Sequence, residues 1–246
     1  MKPFLILQLR PEDAASDNEF EAFLEYGNLK ESEVHRVRME KGGVPQIDLN
    51  DYSGVIVGGG PFNISDNEEH KSDAQKRTEE GLLRLLDDVI EQDFPYLGAC
   101  YGIGILVHHQ KGYVSKEQYG EDVGGVDIFL TEDGVKDPLL IGLPKEFRAF
   151  VGHKEACQTL PEGGVLLASS KTCPVQMIRL KTNVYATQFH PELDSEGINV
   201  RINVYKNAGY FPPEDAERLC AKMLKEEITV PMEITKRFVK KYKQSL

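Results

Sequence analysis

The segment FPYLGACYGIGILVHH, residues 94–109, decides how this chain folds and where its chemistry lies. Its first part, residues 94–97, is a short apolar run typical of a buried strand, and residues 103–109 continue as the start of a helix. Between them Cys100 is flanked on both sides by small residues. A sharp strand-to-helix turn that presents a nucleophile needs such neighbours, because its backbone is strained and crowded. The segment therefore predicts a nucleophile elbow with Cys100 at its tip.

A second segment, QFHPE at residues 188–192, supplies a candidate base and a carboxylate to orient it. A thiol is nucleophilic only as the thiolate, so a nearby imidazole is the expected activator. Side chains two residues apart point to the same side of an extended segment, which lets Glu192 hold His190. Taken singly, the two segments could also be a glycine-rich turn with a structural thiol and an ordinary loop. Their joint occurrence, each after a strand signal, favours a catalytic triad of Cys100, His190 and Glu192.

Three blocks of sequence carry a resemblance to a known family. They are VIVGGGP (residues 55–61), GACYG (residues 98–102) and YATQFHPE (residues 185–192). With these blocks the chain resembles the class I (triad-type) glutamine amidotransferases, and among them the stand-alone proteins similar to the glutaminase of GMP synthase. The resemblance implies a doubly wound, mostly parallel central sheet of the flavodoxin-like type. It also implies hydrolysis of a glutamine-type γ-carboxamide through a γ-glutamyl thioester on Cys100, with release of ammonia.

The tetrahedral intermediate of such a reaction needs hydrogen-bond donors aimed at its oxyanion. The Tyr101 N–H, immediately after the nucleophile, is one candidate. The Gly60 N–H is the other, with the Gly59 N–H as second choice, because glycine lets the backbone approach the substrate closely. The same glycine loop could instead cradle a phosphate. It lacks the lysine and hydroxyl residues of a P-loop and the G-x-G-x-x-G pattern, which disfavours that interpretation.

On the substrate side we expect Pro61, Gly104 and His153 to line the pocket. His153 lies in a block that faces the substrate in similar proteins, although a histidine packed in a loop is an equal alternative. The family commonly has a glutamine where this chain has Gly104, and its loss removes hydrogen bonds to the substrate head group. Each unpaired polar group can cost about 1–3 kcal/mol. Free L-glutamine is therefore not the only substrate to consider, and a γ-glutamyl peptide or amine would use the same triad.

Composition excludes several classes of function. The formal net charge is −11 over 246 residues. Nucleic acids and anionic membranes attract basic surfaces, so we expect neither as a partner. No apolar stretch approaches the about 20 residues that cross a bilayer. The four cysteines form no C-x-x-C pair and no zinc-binding pattern, which indicates free thiols in the cytoplasm and predicts neither a metal site nor a cofactor.

The order of strand and helix signals predicts the architecture. Up to the elbow, strands and helices alternate as in a parallel, doubly wound α/β sheet, and one predicted helix spans Glu19 to Tyr26 with Asp17 or Asn18 as its N-cap. Residues 112–180 carry short strands with turns between them, which indicates a small antiparallel β addition beside the main sheet. The tail predicts two helices, Ala216 to Lys225 and Glu233 to Tyr242. We therefore divide the chain into an amidotransferase domain, 1–199, and a helical extension, 200–246, packed on it.

Three hypotheses of function stay open at this point. The first is the glutaminase, whose small-molecule substrate is glutamine. Residues 193–246 hold no synthetase domain, so we expect any ammonia-accepting synthetase to be a separate subunit. The second is a hydrolase of γ-glutamyl peptides or amines, and the third is a non-catalytic binding protein on the same scaffold, which an intact Cys100, His190 and Glu192 disfavour. A homo-oligomer is compatible with all three.

Overall fold

A nine-stranded sheet forms the centre of the protein, whose computed structural model describes residues 2–244. The strands, numbered along the chain, are β1 (Phe4–Gln8), β2 (Val34–Arg38), β3 (Gly54–Val57), β4 (Tyr96–Ala99), β5 (Tyr113–Ser115), β6 (Glu121–Leu130), β7 (Glu146–His153), β8 (Ala156–Thr159), β9 (Val165–Ser170), β10 (Met177–Leu180) and β11 (Val184–Thr187). The sheet has the order β2-β1-β3-β4-β11-β10-β9-β6-β7, and β5 pairs with β8 in a second sheet of two strands.

Eight α-helices surround the sheet within residues 2–244. They are α1 (Asp13–Gly27), α2 (Met39–Gly42), α3 (Asp73–Gln92), α4 (Tyr101–His109), α5 (Glu132–Lys136), α6 (Ser195–Tyr205), α7 (Ala216–Met223) and α8 (Val230–Tyr242). Single 3₁₀ turns occur at Glu31–Glu33, Leu49–Asp51 and Pro213–Asp215. The first helix starts earlier than its predicted N-cap, since its flanking residue is Glu12. Ala15 and Ser16, in the added turn, are buried against the sheet, and the Gln8 side chain donates to the Ser16 carbonyl at 2.7 Å.

The predicted doubly wound, mostly parallel sheet is confirmed. Strands β2, β1, β3, β4 and β11 pair with one another in parallel, in that order. Alternate residues of β1 enter two separate cores: Leu5 and Leu7 pack on the side of α3 and α4, whereas Phe4 and Ile6 pack on the side of α1 and α8. Burial on both faces explains why these strands are continuous apolar runs rather than alternating ones.

The antiparallel strands are more closely tied to the sheet than we expected. We predicted hairpins beside the main sheet, but β10, β9, β6 and β7 continue the same sheet beyond β11. Among the strands of residues 2–244, β5 and β8 alone form a separate pair. The change from parallel to antiparallel pairing occurs at β11, the strand that leads to residues 188–192.

The tail packs over the sheet and contains a helix that we did not predict. This helix, α6, begins after Asp194, whose side chain accepts from the Gly197 N–H at 2.6 Å. The division that we placed between residues 199 and 200 falls inside this helix. Residues 193–205 carry no turn signal at that point. The last helix, α8, completes the core beside α1, and the rings of Phe238 and Phe4 lie 6.3 Å apart. None of the helices in residues 2–244 is long and apolar enough to cross a membrane.

Candidate active site

The predicted elbow lies between β4 and α4, with Cys100 as the residue that flanks the helix. Its backbone has φ +52° and ψ −95°, a conformation that costs about 1–3 kcal/mol for a residue with a side chain. The turn is crowded, since a Cβ on Gly98 would lie 2.7 Å from the Gly102 carbonyl oxygen. The Cys100 N–H donates to the Thr187 carbonyl at 2.8 Å. This bond ties the strained turn to the end of β11.

His190 and Glu192 follow β11 and form a hydrogen-bonded pair. The Nδ1 of His190 lies 3.0 Å from Glu192 Oε1, and the carboxylate is fully buried. Burial alone would raise the pKa of Glu192, but the positive charges and hydrogen bonds of His190 and Arg201 outweigh it and hold the pKa well below its usual range. Burial lowers the pKa of His190, and the charge of Arg201 lowers it further. The imidazole is therefore a neutral base beside a permanent carboxylate.

Cys100 and His190 converge at Gly59. If Gly59 had a Cβ, this atom would lie 2.7 Å from His190 Cε1, 2.9 Å from Arg10 Nη2 and 3.3 Å from Cys100 Cβ. The three side chains therefore surround one point, which only a glycine leaves free. Burial raises the pKa of the Cys100 thiol to about 12, and the charge of Arg10 opposes this rise. At neutral pH the thiol is protonated and needs a base to become a nucleophile.

Of the three oxyanion donors that we predicted, Gly60 and Tyr101 stay candidates, whereas the Gly59 N–H already has a partner. The Gly59 N–H donates to Glu19 Oε1 at 3.2 Å, so this donor is already used within the protein. Gly60 lines the cavity at Cys100, and Tyr101 is the first residue of α4. The first N–H groups of a helix have no partner within the helix, which leaves the Tyr101 N–H free to bind an anion.

The substrate-side residues that we predicted have different roles in the structure. Pro61 and Gly104 line cavities that reach Cys100. His153 is buried with both ring nitrogens in use: Nδ1 lies 2.8 Å from the Glu155 carbonyl oxygen and Nε2 lies 2.8 Å from Glu121 Oε2. Its ring has no free nitrogen for a substrate, so we correct its role to that of a wall residue.

Glu155 fills the space that the missing glutamine at position 104 would use. A Cβ on Gly104 would lie 3.1 Å from Glu155 Oε1. This buried carboxylate accepts from the Ile64 N–H at 3.0 Å and from the N–H and hydroxyl of Ser65 at 2.9 and 2.6 Å. It thereby fixes the loop after the glycine run.

Two cavities meet at Cys100. The first is a small, open cavity of about 50 Å³ on the side of His190, and its walls are mostly apolar and aromatic. They include Val123, Leu193, Ile198, Ile202, Tyr210 and Phe211. The second, of about 20 Å³, also reaches Cys100, and its lining combines the polar side chains of Asn63, Lys154, Glu155 and Gln188 with apolar ones such as Phe62 and Val114. The aromatic walls of the first cavity come from the tail, which the sequence did not associate with the site.

Three buried charged residues at the site were also missed. Arg10 follows β1, Glu19 lies in α1 and Arg201 lies in α6. The Arg10 Nε donates to Glu19 Oε1 at 2.8 Å, and the Arg201 Nη2 donates to Glu192 Oε1 at 2.8 Å. Arginine and glutamate in helices usually indicate a solvated face, so their residue types gave no signal. The position of Arg10 did, because ligands bind at the carboxyl ends of parallel strands.

One cluster has the residue types of a metal site but is already satisfied. Ligand atoms of Glu121, His153 and Cys173 lie within 4.8 Å of one another. The Glu121 carboxylate accepts hydrogen bonds from His153, Gln176, Ser170 and Thr172. A carboxylate saturated in this way acts as the centre of a hydrogen-bond network, and we assign no metal to it.

Comparison with known proteins points in one direction. Residues 16–202 match the family described as glutamine amidotransferase class-I. The GMP synthase (glutamine-hydrolyzing) of Thermosipho africanus is 34% identical over 140 residues, which are 56% of this chain and 24% of that protein. The GMP synthase of Bacillus velezensis is 31% identical over 173 residues, 69% of this chain and 29% of that protein. The chain thus spans about a quarter of the length of these relatives.

Solved structures show the same fold. A glutamine amidotransferase from Thermotoga maritima superimposes with a TM-score of 0.78 at 19% identity, covering 100% of both chains. A glutamine amidotransferase from Methylobacillus flagellatus gives a TM-score of 0.73 at 18% identity, covering 100% of this chain and 97% of the other. Because the coverage extends to the whole chain, the tail is included in the similarity.

Proposed function

The chain belongs to the glutamine amidotransferase class-I family of enzymes, and from this premise we propose that it hydrolyses a glutamine-type γ-carboxamide through a γ-glutamyl thioester on Cys100. His190 would take the thiol proton, and the sulfur would attack the carboxamide carbon. The N–H groups of Gly60 and Tyr101 would bind the resulting oxyanion. When the C–N bond breaks, His190 returns the proton to the departing ammonia. The base then activates a water molecule, which attacks the thioester and releases glutamate and the free thiol.

The observation that carries this proposal is the meeting of two unlike cavities at one thiol. The second cavity, with Asn63, Lys154 and Glu155 in its lining, offers the polar side chains that the charged amino-acid end of a γ-glutamyl group needs. The leaving group must then lie on the opposite side of Cys100, in the cavity that His190 lines. This is the side on which a general acid has to stand in order to protonate a departing amine.

The proposal is tested by incubating the purified chain with glutamine and measuring glutamate release. We expect release by the wild-type protein and none by Cys100→Ala. Cys157→Ala is the matched control, because this buried thiol lies outside both cavities and should leave the rate unchanged. Labelling of Cys100 by an electrophilic glutamine analogue would separate a silent enzyme that lacks a partner from an inactive site. Release by Cys100→Ala would refute the thioester.

A γ-glutamyl peptide or amine is the second candidate substrate, and the apolar cavity favours it. Ammonia needs no pocket, whereas Tyr210, Phe211 and their neighbours enclose room for an apolar group beside His190. We therefore compare kcat/KM for glutamine with that for γ-glutamyl amides whose amine carries an aromatic ring. A preference for the aromatic amides that is lost in Phe211→Ala would support this candidate. Equal loss for glutamine and the amides would count against it.

An ammonia-accepting synthetase subunit is the proposed partner for the glutaminase reaction. The relatives named above are GMP synthases, and this chain corresponds to about a quarter of their length. We expect a cognate synthetase subunit, added in equimolar amount with its own substrates, to raise glutamate release. Light scattering of the chain alone would distinguish a homo-oligomer from a monomer. A rate of glutamate release that does not change with any added synthetase would instead support the free-standing hydrolase.

A further inference from the structure

Behind the triad lies a connected group of buried charged side chains. Arg201 Nη2 is 2.8 Å from Glu192 Oε1 and 3.7 Å from Glu19 Oε1, so it lies between two carboxylates. Glu19 also accepts from Arg10 Nε at 2.8 Å and from Gln8 Nε2 at 3.0 Å. Both carboxylates are fully buried, and both arginines are about 95% buried.

Burying such a group of charges lowers the stability of a fold. Charges lose their hydration when they are buried, and well-packed apolar residues of similar size often serve stability equally well or better. The two arginines and the two glutamates balance in charge, and they lie directly behind His190 and the glycine loop. Their position therefore suggests a role in the reaction rather than in folding.

We propose that Arg201 is a positioning residue of the reaction, which holds Glu192 against His190 and, through Glu19, keeps the glycine loop aligned with the base. This inference rests on the proposed function of Cys100 and His190. Arg201 contacts both Glu192 and His190. It reaches the glycine loop only through the second carboxylate, that of Glu19. It belongs to α6, so the helix that we failed to predict completes the site.

The tautomer of His190 gives the first part of the argument. Nδ1 lies 3.0 Å from both Glu192 Oε1 and Arg201 Nη1, and it can carry only one proton. An arginine only donates, whereas an ionised carboxylate only accepts. With a proton on Nδ1, the ring donates to Glu192 and Nε2 is free to accept the thiol proton. Arg201 acts on this state through two contacts: Nη1 faces Nδ1 as a competing donor, whereas Nη2 fixes the carboxylate oxygen that accepts the ring proton, and we infer that the second contact dominates.

The link to the glycine loop gives the second part. Glu19 Oε1 accepts the Gly59 N–H at 3.2 Å, and a Cβ on Gly58 would lie 2.4 Å from Glu19 Oε2. The carboxylate thus touches the backbone of two successive glycines. The next residue, Gly60, is the proposed oxyanion donor, so a displacement of Glu19 would move this donor away from Cys100. Arg201 and Arg10 both pair with Glu19 Oε1 and so hold this carboxylate in place.

The experiment measures the His190 ring directly and needs no substrate. Protein labelled with ¹⁵N in its histidine rings is examined by NMR, since the ring-nitrogen shifts report which nitrogen carries the proton; a His190→Asn variant identifies the signals. Wild type is compared with Arg201→Met, Arg201→Lys and the charge-balanced double variant Arg201→Met/Glu19→Gln. Arg148→Met is the matched control, because Arg148 binds Glu226 of the tail away from both carboxylates. Glutaminase kcat and KM are measured in parallel.

We expect wild type and Arg148→Met to hold the proton on Nδ1, and the two variants that lack a cation at 201 to show a mixture of tautomers. A misplaced base can lower the reaction rate about 100-fold. We expect this loss to appear in kcat, with KM little changed. Arg201→Lys keeps the charge but not the two-point contact and should recover part of the rate.

Three results would overturn the inference. They are a wild-type ring with its proton on Nε2, an unchanged tautomer in Arg201→Met, and an unchanged kcat in the folded double variant. If Arg201→Met does not fold, the double variant and Arg201→Lys decide. If wild type hydrolyses no substrate and an electrophilic glutamine analogue does not label Cys100, the proposed function fails while the tautomer still tests the positioning role.

Discussion

Single residues at this site are constrained by their neighbours more than by their own chemistry. Cys100 has a thiol that burial makes a weak acid, with a pKa raised to about 12, so its reactivity depends on His190. His190 in turn depends on Glu192, and the free space among them depends on a glycine. That the cysteine, histidine and glutamate lie together could be predicted, because their types and order are themselves a signal. The place of Arg201 could not, since an arginine on an exposed helix face has the same sequence pattern.

Replacing Gly59 by alanine should reduce activity with little effect on binding. The added Cβ would lie 2.7 Å from the His190 ring and 3.3 Å from Cys100 Cβ, so one of the two must move. A misplacement of about 1 Å can cost about 100-fold in rate, and we expect a loss of that order in kcat. Gly42→Ala is the control, because no atom lies within 4 Å of a Cβ there. Equal kcat in Gly59→Ala and wild type would contradict the crowding.

The pH dependence of kcat/KM should have an acidic limb with its midpoint below 6.5. His190 acts as a base only when neutral, so the rate rises as pH increases through its pKa. Burial and the charges of Arg201 and Arg10 lower this pKa from 6.5, against the opposing effect of Glu192. Glu192→Gln should move the limb to still lower pH while reducing kcat. A wild-type midpoint above 6.5 in the measured profile would show that the carboxylate dominates.

At the scale of elements, prediction succeeded where one pattern belongs to one strand or helix. The β4–α4 elbow and the strand β11 were both predicted, because each is a short apolar run next to a motif. The helix α6 was not, because the residues it buries include Gly197 and Arg201 beside two isoleucines, which breaks the apolar periodicity. Long-range placement was also missed: no local pattern reveals that residues 177–180 extend the main sheet.

The last helix should contribute much of its stability through Phe238. This ring is fully buried and lies 6.3 Å from the ring of Phe4 and 4.9 Å from that of Tyr242. Phe238→Ala should lower the free energy of unfolding by about 3–5 kcal/mol, as judged by urea denaturation. Lys240→Ala, two residues further on the exposed face, should change it by less than about 0.5 kcal/mol. Similar effects of both substitutions would mean that α8 is not docked.

At the scale of the whole molecule, the tail and the sheet form one packed unit around the site. The Thr235 hydroxyl donates to the Pro191 carbonyl at 2.9 Å, so α8 touches the segment between the base and its carboxylate. Arg148 of β7 pairs with Glu226 of the tail at 2.7 Å. These contacts agree with a tail packed on the domain, whereas the boundary at 199 and 200 remains a prediction that cuts through a helix.

A fragment of residues 1–199 should fail to unfold cooperatively. Without the tail, Phe4 and Phe23 lose the buried partners Ile234, Phe238 and Val239 of the same core. We expect the fragment to bind a hydrophobic dye and to give no sigmoidal urea transition, measured beside the intact chain. A transition with the midpoint of the intact chain would show that residues 1–199 are an independent domain.

The place of β4 in the sheet has a consequence for synthesis of the chain. This strand pairs with β3 on one side and with β11 on the other, and β11 begins only at Val184. Ribosomes add about 5–20 residues per second, so a nascent chain carries β4 with one open edge for roughly 4–17 s. An open strand edge can pair with the wrong strand or with another chain. We therefore expect chaperone binding to protect the nascent chain most during this interval. During the same interval His190 has not been synthesised, so the Cys100 thiol of the nascent chain has no base beside it. We therefore expect the nascent chain not to cleave amides before β11 is in place.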